Sequence, residues 1–397
     1  MQLVAYGAQD IYLTGNPQIT FFKVVYRRHT NFSMEAIEQT WAGNETTNGR
    51  CTATISRNGD LVHRMYLELN PSGIVASHNP SSRGITDVEI EIGGQKIDKH
   101  SGTWMETWAE LTEPNPSGLV SSSTAQLLTG TLFQNMSGMG GIDEVGSDVA
   151  GIVFVPLQFW FCRNPGLALP LIALQYHEVK VILNHTYATT FTALTSNKLF
   201  CDYIYLDTDE RRRFAQVSHE YLIEQVQEQT LSAPGGTSDL NFNHPVKEIV
   251  WVNGGSVSNG FMTTGAGGGS LGDATGFVNA AGDDVTYQLK LNGHDRFSAR
   301  NYKYFTRTQV WQHHTGSGGL DSSTNGTGKL NDGIAVYSFA LKPEEHQPSG
   351  TCNFSRIDNA QLVRGGGGAT PFADTIFAVN YNVLRIMSGM GGLAYSN

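Results

Sequence analysis

A short, strongly charged stretch near the middle of the chain separates two parts that are each long enough to fold alone. Residues 203–206 (YIYL) are aromatic and β-branched, as strands prefer, whereas residues 207–213 carry six charges in seven positions. Charge at that density does not fit a strand buried on both faces. An apolar run resumes at 221–226, so about 205 residues precede the stretch and about 185 follow it, each the size of one domain. We predict two domains in tandem, joined by a surface linker with one helical turn.

Apolar and polar residues alternate with a period of two in several short runs. Residues 61–69 and 285–291 show this pattern most clearly, and Asn292-Gly293 follows the second run as a hairpin turn. Such turn dipeptides, scattered between short strands, favour a β-sandwich over alternating strand and helix units. Asn-Gly begins at Asn48, Asn58, Asn253, Asn259, Asn292 and Asn325.

Other strands are predicted from shorter signals. Residues 88–97 read as a hairpin in which Gly93-Gly94 supplies the positive φ angles of a tight turn. Apolar and β-branched content extends the prediction along the rest of the chain. Further strands are expected within 19–26, 152–162, 171–183, 247–252, 334–341, 361–364 and 377–386.

A helical pattern occurs once with clear signals. Thr103 and Glu106 have the spacing of a capping box, and Trp104, Trp108 and Leu111 recur on one helical face. We therefore predict about two helical turns, as a short helix in a loop of a β-domain.

Two long segments are weakly patterned. Residues 117–148 are rich in Ser, Thr and Gly and carry little periodicity, which predicts a long loop or a pair of edge strands. Residues 254–284 hold ten glycines among Ser, Asn and Thr, which predicts a long exposed excursion that its own protomer does not need for folding.

Charge argues against a nucleic-acid partner. The 397 residues contain 26 Lys and Arg against 36 Asp and Glu, a net charge of −10. The longest basic run is 211–213, so the chain lacks the basic surface that releases counterions from phosphates. We expect no direct binding to nucleic acid.

The cysteines and the apolar tracts indicate folding in a reducing compartment. Cys51, Cys162, Cys201 and Cys352 follow no zinc, redox or disulfide spacing, and the first residues carry no secretory signal. We expect four reduced thiols. The most apolar tract, 151–181, is interrupted by proline and charge before it reaches the ~18 residues of a membrane span. We expect a chain that does not cross a bilayer.

The motifs that could carry chemistry are weak. Residues 268–272 match the GxSxG pattern, yet Ser270 lies in a glycine run that can form neither the strand nor the helix of a nucleophile elbow. His313-His314 lacks the spacing of a metal site and is interpreted as ordinary surface or hydrogen-bonded histidine, as is the triplet 176–178. The acidic residues of 207–213 are interpreted as part of the solvated linker. We predict no catalytic, cofactor-binding or metal-binding residues.

Seven long blocks of the sequence resemble one family end to end. The chain closely resembles the major capsid proteins of large icosahedral, nucleocytoplasmic DNA viruses, above all those of algal and related giant viruses. The blocks are GNPQITFFKVVYRRHTNF (15–32), ISRNGDLV (55–62), IGGQKIDKH (92–100), NPGLALPLIALQYHEVKV (164–181), LDTDERRRFAQVSHEYLIEQ (206–225), LKPEEHQPSGTCNFSRIDNAQL (341–362) and NYNVLRIMSGMGGLAYSN (380–397).

The resemblance implies an all-β tandem double jelly roll, that is, two eight-stranded β-sandwiches with short helices in loops. The expected division is an N-terminal arm (1–17), a first jelly-roll domain (18–207), a linker (208–218) and a second jelly-roll domain (219–397). The implied function is structural, not enzymatic: homotrimers form pseudo-hexagonal capsomers that tile an icosahedral virion shell. Implied partners are neighbouring capsomers and minor capsid proteins, near an internal viral membrane, with synthesis and assembly in the host cytoplasm.

Glycans are expected on loops if they are present. The sequons at Asn44, Asn135 and Asn325 are the candidate sites. The family carries glycans at atypical positions, so the resemblance gives sequons little weight.

Two other classes remain open on the residues alone. A carbohydrate-binding β-sandwich lectin would bind glycan as an isolated protomer. A glycoside-cleaving β-sandwich enzyme would need two carboxylates at catalytic separation on one face, and the sequence nominates no such pair.

Overall fold

A computed structural model describes residues 7–74, 79–113, 131–140, 151–231, 236–252, 285–316, 333–365 and 374–395. Its strands form four antiparallel sheets, two before residue 207 and two after it. The first ten strands are β1 Phe32–Gln39, β2 Trp41–Gly43, β3 Gly49–Thr54, β4 Leu61–Ile74, β5 Ile85–Ile92, β6 Gln95–Ser101, β7 Val153–Pro156, β8 Leu169–Pro170, β9 Val179–His185 and β10 Phe191–Leu206. The others are β11 His219–Thr230, β12 Thr237–Asp239, β13 Pro245–Val252, β14 Thr286–Leu291, β15 His294–Asp295, β16 Arg300–Asn301, β17 Ile334–Ser338, β18 Cys352–Asn353, β19 Ala360–Gly365, β20 Thr375–Met387 and β21 Met390–Leu393.

Short helical segments lie between the strands. The α-helices are α1 Ile11–Thr14, α2 Pro80–Arg83, α3 Gly102–Thr112, α4 Leu132–Ser137, α5 Trp160–Arg163, α6 Tyr187–Thr190, α7 Thr208–Gln216 and α8 Gln309–His313. A π-helical turn, Tyr304–Thr308, precedes α8 directly, and 3₁₀ turns occur at Pro165–Leu167 and Phe354–Arg356.

The two halves repeat one strand order. In the first half, sheet I has the order β1-β10-β4-β7 with β8 also on β4, and sheet II has the order β2-β3-β9-β5-β6. In the second half, sheet III has the order β11-β20-β13-β17 with β18 and β21 at its margins, and sheet IV has the order β12-β19-β14-β15 with β16 also on β14. Position by position, β1, β10, β4 and β7 correspond to β11, β20, β13 and β17. Two packed sheets with this connectivity are a jelly roll, so the prediction of a tandem double jelly roll is confirmed.

Each sandwich has an apolar core, and the core of the first also includes Ile223, Leu384 and Ile386 of sheet III. The alternation predicted for 61–69 points Met65 and Leu67 inward, where they pack with residues of sheet II. In the second sandwich, Trp251 of sheet III packs against Tyr287 of sheet IV, with ring centroids 5.3 Å apart. These buried faces explain why the period-two signal in the sequence identified the right strands.

Both predicted hairpins form. Gly93 and Gly94 connect β5 to β6 with φ of +59° and +83°. Asn292 and Gly293 connect β14 to β15 with φ of +54° and +76°. Residues with positive φ at both central positions give the twist that two antiparallel strands need at a tight turn.

Residues 19–26 do not form the predicted strand. They run without strand pairing, and Phe22 and Val24 are 97% and 93% exposed. The segment has the β-branched and aromatic content that is typical of a strand. A strand also requires a neighbouring strand to satisfy its backbone, and this segment pairs with none in the described chain.

Three boundaries also differ from the prediction. Helix α3 begins at Gly102 and is capped by Ser101, whose hydroxyl accepts from Trp104 N at 3.2 Å, so the capping box at Thr103 is wrong. Glu106 instead accepts from Ser82 Oγ at 2.7 Å and from Gly140 N at 2.9 Å, which ties α3 to α2 and to the turn after α4. The predicted strands at 152–162 and 171–183 form only in part. In the first, β7 ends at Pro156, and in the second, β9 begins only after the turns that follow Pro170. The charged stretch forms the nine-residue helix α7, longer than the single turn expected.

The predicted loop 254–284 and most of 117–148 lie outside the described residues. Within the part of the chain that is described, no helix combines the length and the apolar content that a membrane crossing requires.

The joint between the sandwiches and the candidate assembly surfaces

Helix α3 of the first sandwich packs on the outer face of sheet III of the second. Trp104 and Trp108, the aromatic positions that the sequence placed on one helical face, are buried in a cluster with residues of β13, β17 and β20. Trp104 lies 5.1 Å from Phe377, centroid to centroid. Val250 of the same cluster pairs with Phe377 on one side and Val336 on the other. The apolar contact therefore makes the two sandwiches one packed unit.

A buried charge cluster lies beside this apolar contact. Glu224 accepts from Lys247 Nζ at 2.7 Å and from an Arg163 Nη at 2.7 Å, so one carboxylate joins a cation from each sandwich. The Lys247 side chain is fully buried. Burial lowers the pKa of Lys247, and the Glu224 carboxylate opposes that change. Arg163 also lies over the Trp108 ring at 4.9 Å, which connects the charges to the apolar contact.

His314 carries a second buried charge at the joint. Its Nε2 lies 2.9 Å from Glu248 Oε2 and its Nδ1 lies 3.1 Å from Glu344 Oε1. Burial alone would lower the pKa of His314, but the two carboxylates outweigh it and raise the pKa to about 9. The imidazolium is therefore the stable form at neutral pH and donates to both partners. The sequence interpretation of His314 as an ordinary surface or hydrogen-bonded histidine missed this ion pair, and its neighbour His313 contacts only Leu341 O, at 3.2 Å.

Polar contacts extend the joint along both edges. Gly316 N donates to Leu111 O at 2.7 Å, and Val226 N donates to Asp98 Oδ1 at 3.2 Å. The C-terminal strand β21 reaches back to the first sandwich, where Leu393 N donates to Gln95 Oε1 at 3.2 Å. His177, from the triplet considered as a metal motif, lies 2.9 Å from Gly391 O. Its contact is therefore structural.

The β1 edge of sheet I leaves apolar groups exposed. Strand β1 is the edge of sheet I, and its Phe32 and Met34 are about half exposed. The segment before β1 exposes further apolar side chains, from α1 and from residues 19–26. Exposed apolar groups on an unpaired edge are typical of a protein that meets neighbours.

The described residues contain no group of three or more His, Cys, Asp or Glu side chains that could hold a metal ion. Among the acidic residues of the charged stretch, Asp207 caps α7 and Asp209 and Glu210 lie in its first turn, where carboxylates favour the helix dipole. The GxSxG match at 268–272 lies outside the described residues.

Two of the three candidate glycosylation residues can be located. Asn44 and Asn135 are both exposed. Asn135 Nδ2 donates to Thr131 O at 3.0 Å inside α4, and Ser137 of the same sequon is buried, so this residue is less accessible than the pattern suggests. Asn325 lies outside the described residues.

All four cysteines are free thiols in this structure. Cys51, Cys162 and Cys201 are buried and Cys352 is half-buried. Burial raises the pKa of Cys51 and of Cys162 to about 12, which keeps both protonated and unreactive at neutral pH.

We expect four alkylated sites when unreduced protein is denatured and treated with a thiol reagent, counted by mass spectrometry. In the native protein, Cys352 should react first because the other three are covered. Two or fewer modified sites in the denatured sample would contradict the assignment of four thiols.

The comparisons with known proteins agree with this architecture over the whole chain. Residues 20–210 match a family model described as the major capsid protein N-terminus, and residues 210–392 match one described as the large eukaryotic DNA virus major capsid protein. The chain is 51% identical over 423 aligned residues to the major capsid protein of Pyramimonas orientalis virus, covering 100% of this chain and 99% of that protein. It is 40% identical over 460 residues to the major capsid protein of Paramecium bursaria Chlorella virus 1, with the same coverage.

A solved structure gives the same result. The fold matches a chain of the quasi-atomic model of the PBCV-1 virus capsid with a TM-score of 0.76 and 36% sequence identity, covering 95% of this chain and 100% of that one. The relatives of this chain are named major capsid proteins, which are structural proteins. This agrees with the weak catalytic motifs of the sequence. The chain belongs to the major capsid proteins of large eukaryotic DNA viruses and is a structural protein of the virion, not an enzyme.

Proposed function

We propose that three copies of this chain form a pseudo-hexagonal capsomer and that such capsomers tile an icosahedral shell. The observation that carries the proposal is the repeated strand order of the two sandwiches within one chain. Three chains with two similar sandwiches each supply six similar walls around one closed axis, and six-sided units tile a flat facet. A head-to-tail contact that closes after three copies also avoids an open filament.

The proposed division of the chain follows from the same architecture. Residues 18–207 and 219–397 are the two jelly-roll domains, 208–218 is the linker that contains α7, and 1–17 is the N-terminal arm. The extensive joint supports a capsomer in which the two domains of a copy move together, because apolar and charged groups are buried between them.

The proposed partners are other copies of the chain, neighbouring capsomers and minor capsid proteins, close to an internal viral membrane and without direct contact to nucleic acid. The net charge of −10 supports the absence of nucleic-acid contact. Assembly is proposed to occur in the host cytoplasm. Glycans, if present, are proposed on exposed loops, with Asn44 a better candidate than Asn135 because its side chain is not engaged in a helix.

Light scattering on purified protein tests the proposed oligomer. We expect a mass three times the 43.2 kDa of one chain. A single-chain mass with specific glycan binding would instead favour the lectin, and a stable dimer would contradict the threefold capsomer.

A further inference from the structure

The joint inside the chain offers a template for a contact between chains. In the first sandwich, α3 follows β6 directly and covers a row of three paired residues on the outer face of sheet III, Phe377, Val250 and Val336. These residues belong to β20, β13 and β17. In this contact, the helix that follows the sixth strand of one sandwich packs on the outer sheet face of the next sandwich.

The second sandwich has a helix at the same place in its own strand order. The π-helical turn and α8 follow β16, which pairs with β14 as β6 pairs with β5. This helix carries Trp311, whose side chain is 81% exposed, whereas Trp104 and Trp108 of α3 are almost completely buried. A tryptophan is the residue most strongly enriched among the anchors of protein interfaces.

The first sandwich has the corresponding sheet face. On sheet I, Phe200 pairs with Tyr66 and Tyr66 pairs with Pro156, which repeats the row of sheet III on β10, β4 and β7. The Tyr66 ring stacks on Phe200 at 5.5 Å and meets Phe154 edge-on at 6.1 Å. These rings are only half-buried, so the row on sheet I is accessible where the row on sheet III is covered.

An open cavity lies over the part of this face formed by β4 and β7. It has a volume of about 660 Å³, and its lining includes Tyr66, Phe154 and Pro156 on the sheet side and Trp108 and Thr112 of α3 on the other. At the intrachain joint, residues of α3 are likewise buried in one cluster with residues of sheet III and with Val310 of α8. The cavity therefore occupies the position that a helix fills in the equivalent place within the chain, and it is large enough for an indole side chain.

We propose that Trp311 of one copy inserts into the cavity over Tyr66 and Phe154 of the next copy. The proposal rests on the threefold capsomer and identifies the residues that close it. Each chain offers the helix on its second sandwich and the cavity on its first, so the contact is head-to-tail and closes when the third copy meets the first.

Photo-crosslinking from the helix tests this contact directly. The photoreactive residue p-benzoylphenylalanine is placed at position 311 of the full chain, and the sample is irradiated after its mass has been measured by light scattering. We expect cross-linked species of two and three chains on a denaturing gel, and peptides from 61–74, 153–156 or 191–206 joined to position 311 by mass spectrometry.

The outcomes separate this proposal from the capsomer itself. Trimers that cross-link from position 311 to another region, or that do not cross-link, would overturn the contact and leave the capsomer standing. Protein that remains a single chain at all concentrations would overturn both.

Substitution gives a second, independent measurement. Trp311→Ala should raise the concentration at which trimers half-dissociate by about 30-fold or more, whereas Trp311→Phe should retain most of the association. Val217→Ala, at an exposed apolar residue after α7, is the matched control and should leave dissociation unchanged. Because Trp311 is exposed, each variant should keep the wild-type circular dichroism spectrum. A fully folded Trp311→Ala protein with wild-type dissociation would contradict the proposal.

Discussion

Lys247→Met is expected to lower the free energy of unfolding by about 3–5 kcal/mol. The side chain of Lys247 is fully buried and its ammonium lies 2.7 Å from Glu224. Methionine fills similar space but leaves the buried carboxylate with Arg163 as its remaining close cation. A buried charge that has lost a partner keeps its cost of desolvation, and this cost exceeds the contribution of most surface pairs.

Lys342→Met is the matched control. Lys342 and Glu345 also form a pair at 2.8 Å, but both side chains are more than half exposed, so solvent screens the pair and its loss should destabilise the chain far less than the loss of Lys247. Urea unfolding followed by tryptophan fluorescence, with all variants at one protein concentration, measures both changes. Equal destabilisation by the two substitutions would show that the buried cluster is not special.

A second large effect is expected from pH. The pKa of His314 is raised from 6.5 to about 9 in the folded chain by Glu248 and Glu344. A group whose pKa is higher in the folded state stabilises the fold fully below its unfolded pKa and loses that contribution as pH rises through the folded pKa. We therefore expect about 3 kcal/mol of stability to be lost between about pH 6.5 and pH 9 or slightly above.

His314→Gln should remove this part of the pH dependence, because glutamine carries no titrating proton. The measurement is the free energy of unfolding at a series of pH values for both proteins, compared as a difference so that other titrating groups cancel. His29→Gln, at an exposed residue before β1, is the matched control and should leave the profile unchanged. A His314→Gln profile parallel to that of the wild type would contradict the role of this ion pair.

The strands that the sequence predicted well are those whose pattern is local. Residues 61–69 and 285–291 alternate because each strand has one buried face, and the glycines at 93 and 94 occupy backbone angles that few other residues adopt. The segment 19–26 has equal β-content, yet it is no strand, because pairing depends on a partner that the local sequence does not contain.

The contacts at the joint could not be predicted from the sequence. Lys247 and Glu224 are 23 positions apart, and His314 and Glu248 are 66 apart, so their local patterns reveal neither the pairs nor their burial. Trp104 and Trp108 gave one signal, their shared helical face, which predicts a short helix but not the buried contact that this helix makes with the second sandwich. The residues alone show no repeat between the halves, because the halves share a strand order while their residues differ, and the tandem double jelly roll was implied by the family resemblance.

Imaging of the purified protein tests most directly whether two equivalent sandwiches per chain build a threefold, six-walled capsomer. Negative-stain class averages should show hexagonal particles, and a three-dimensional reconstruction should hold three copies of the chain, with six jelly rolls around one axis. Single-chain particles, or rings with a number of copies other than three, would contradict the account.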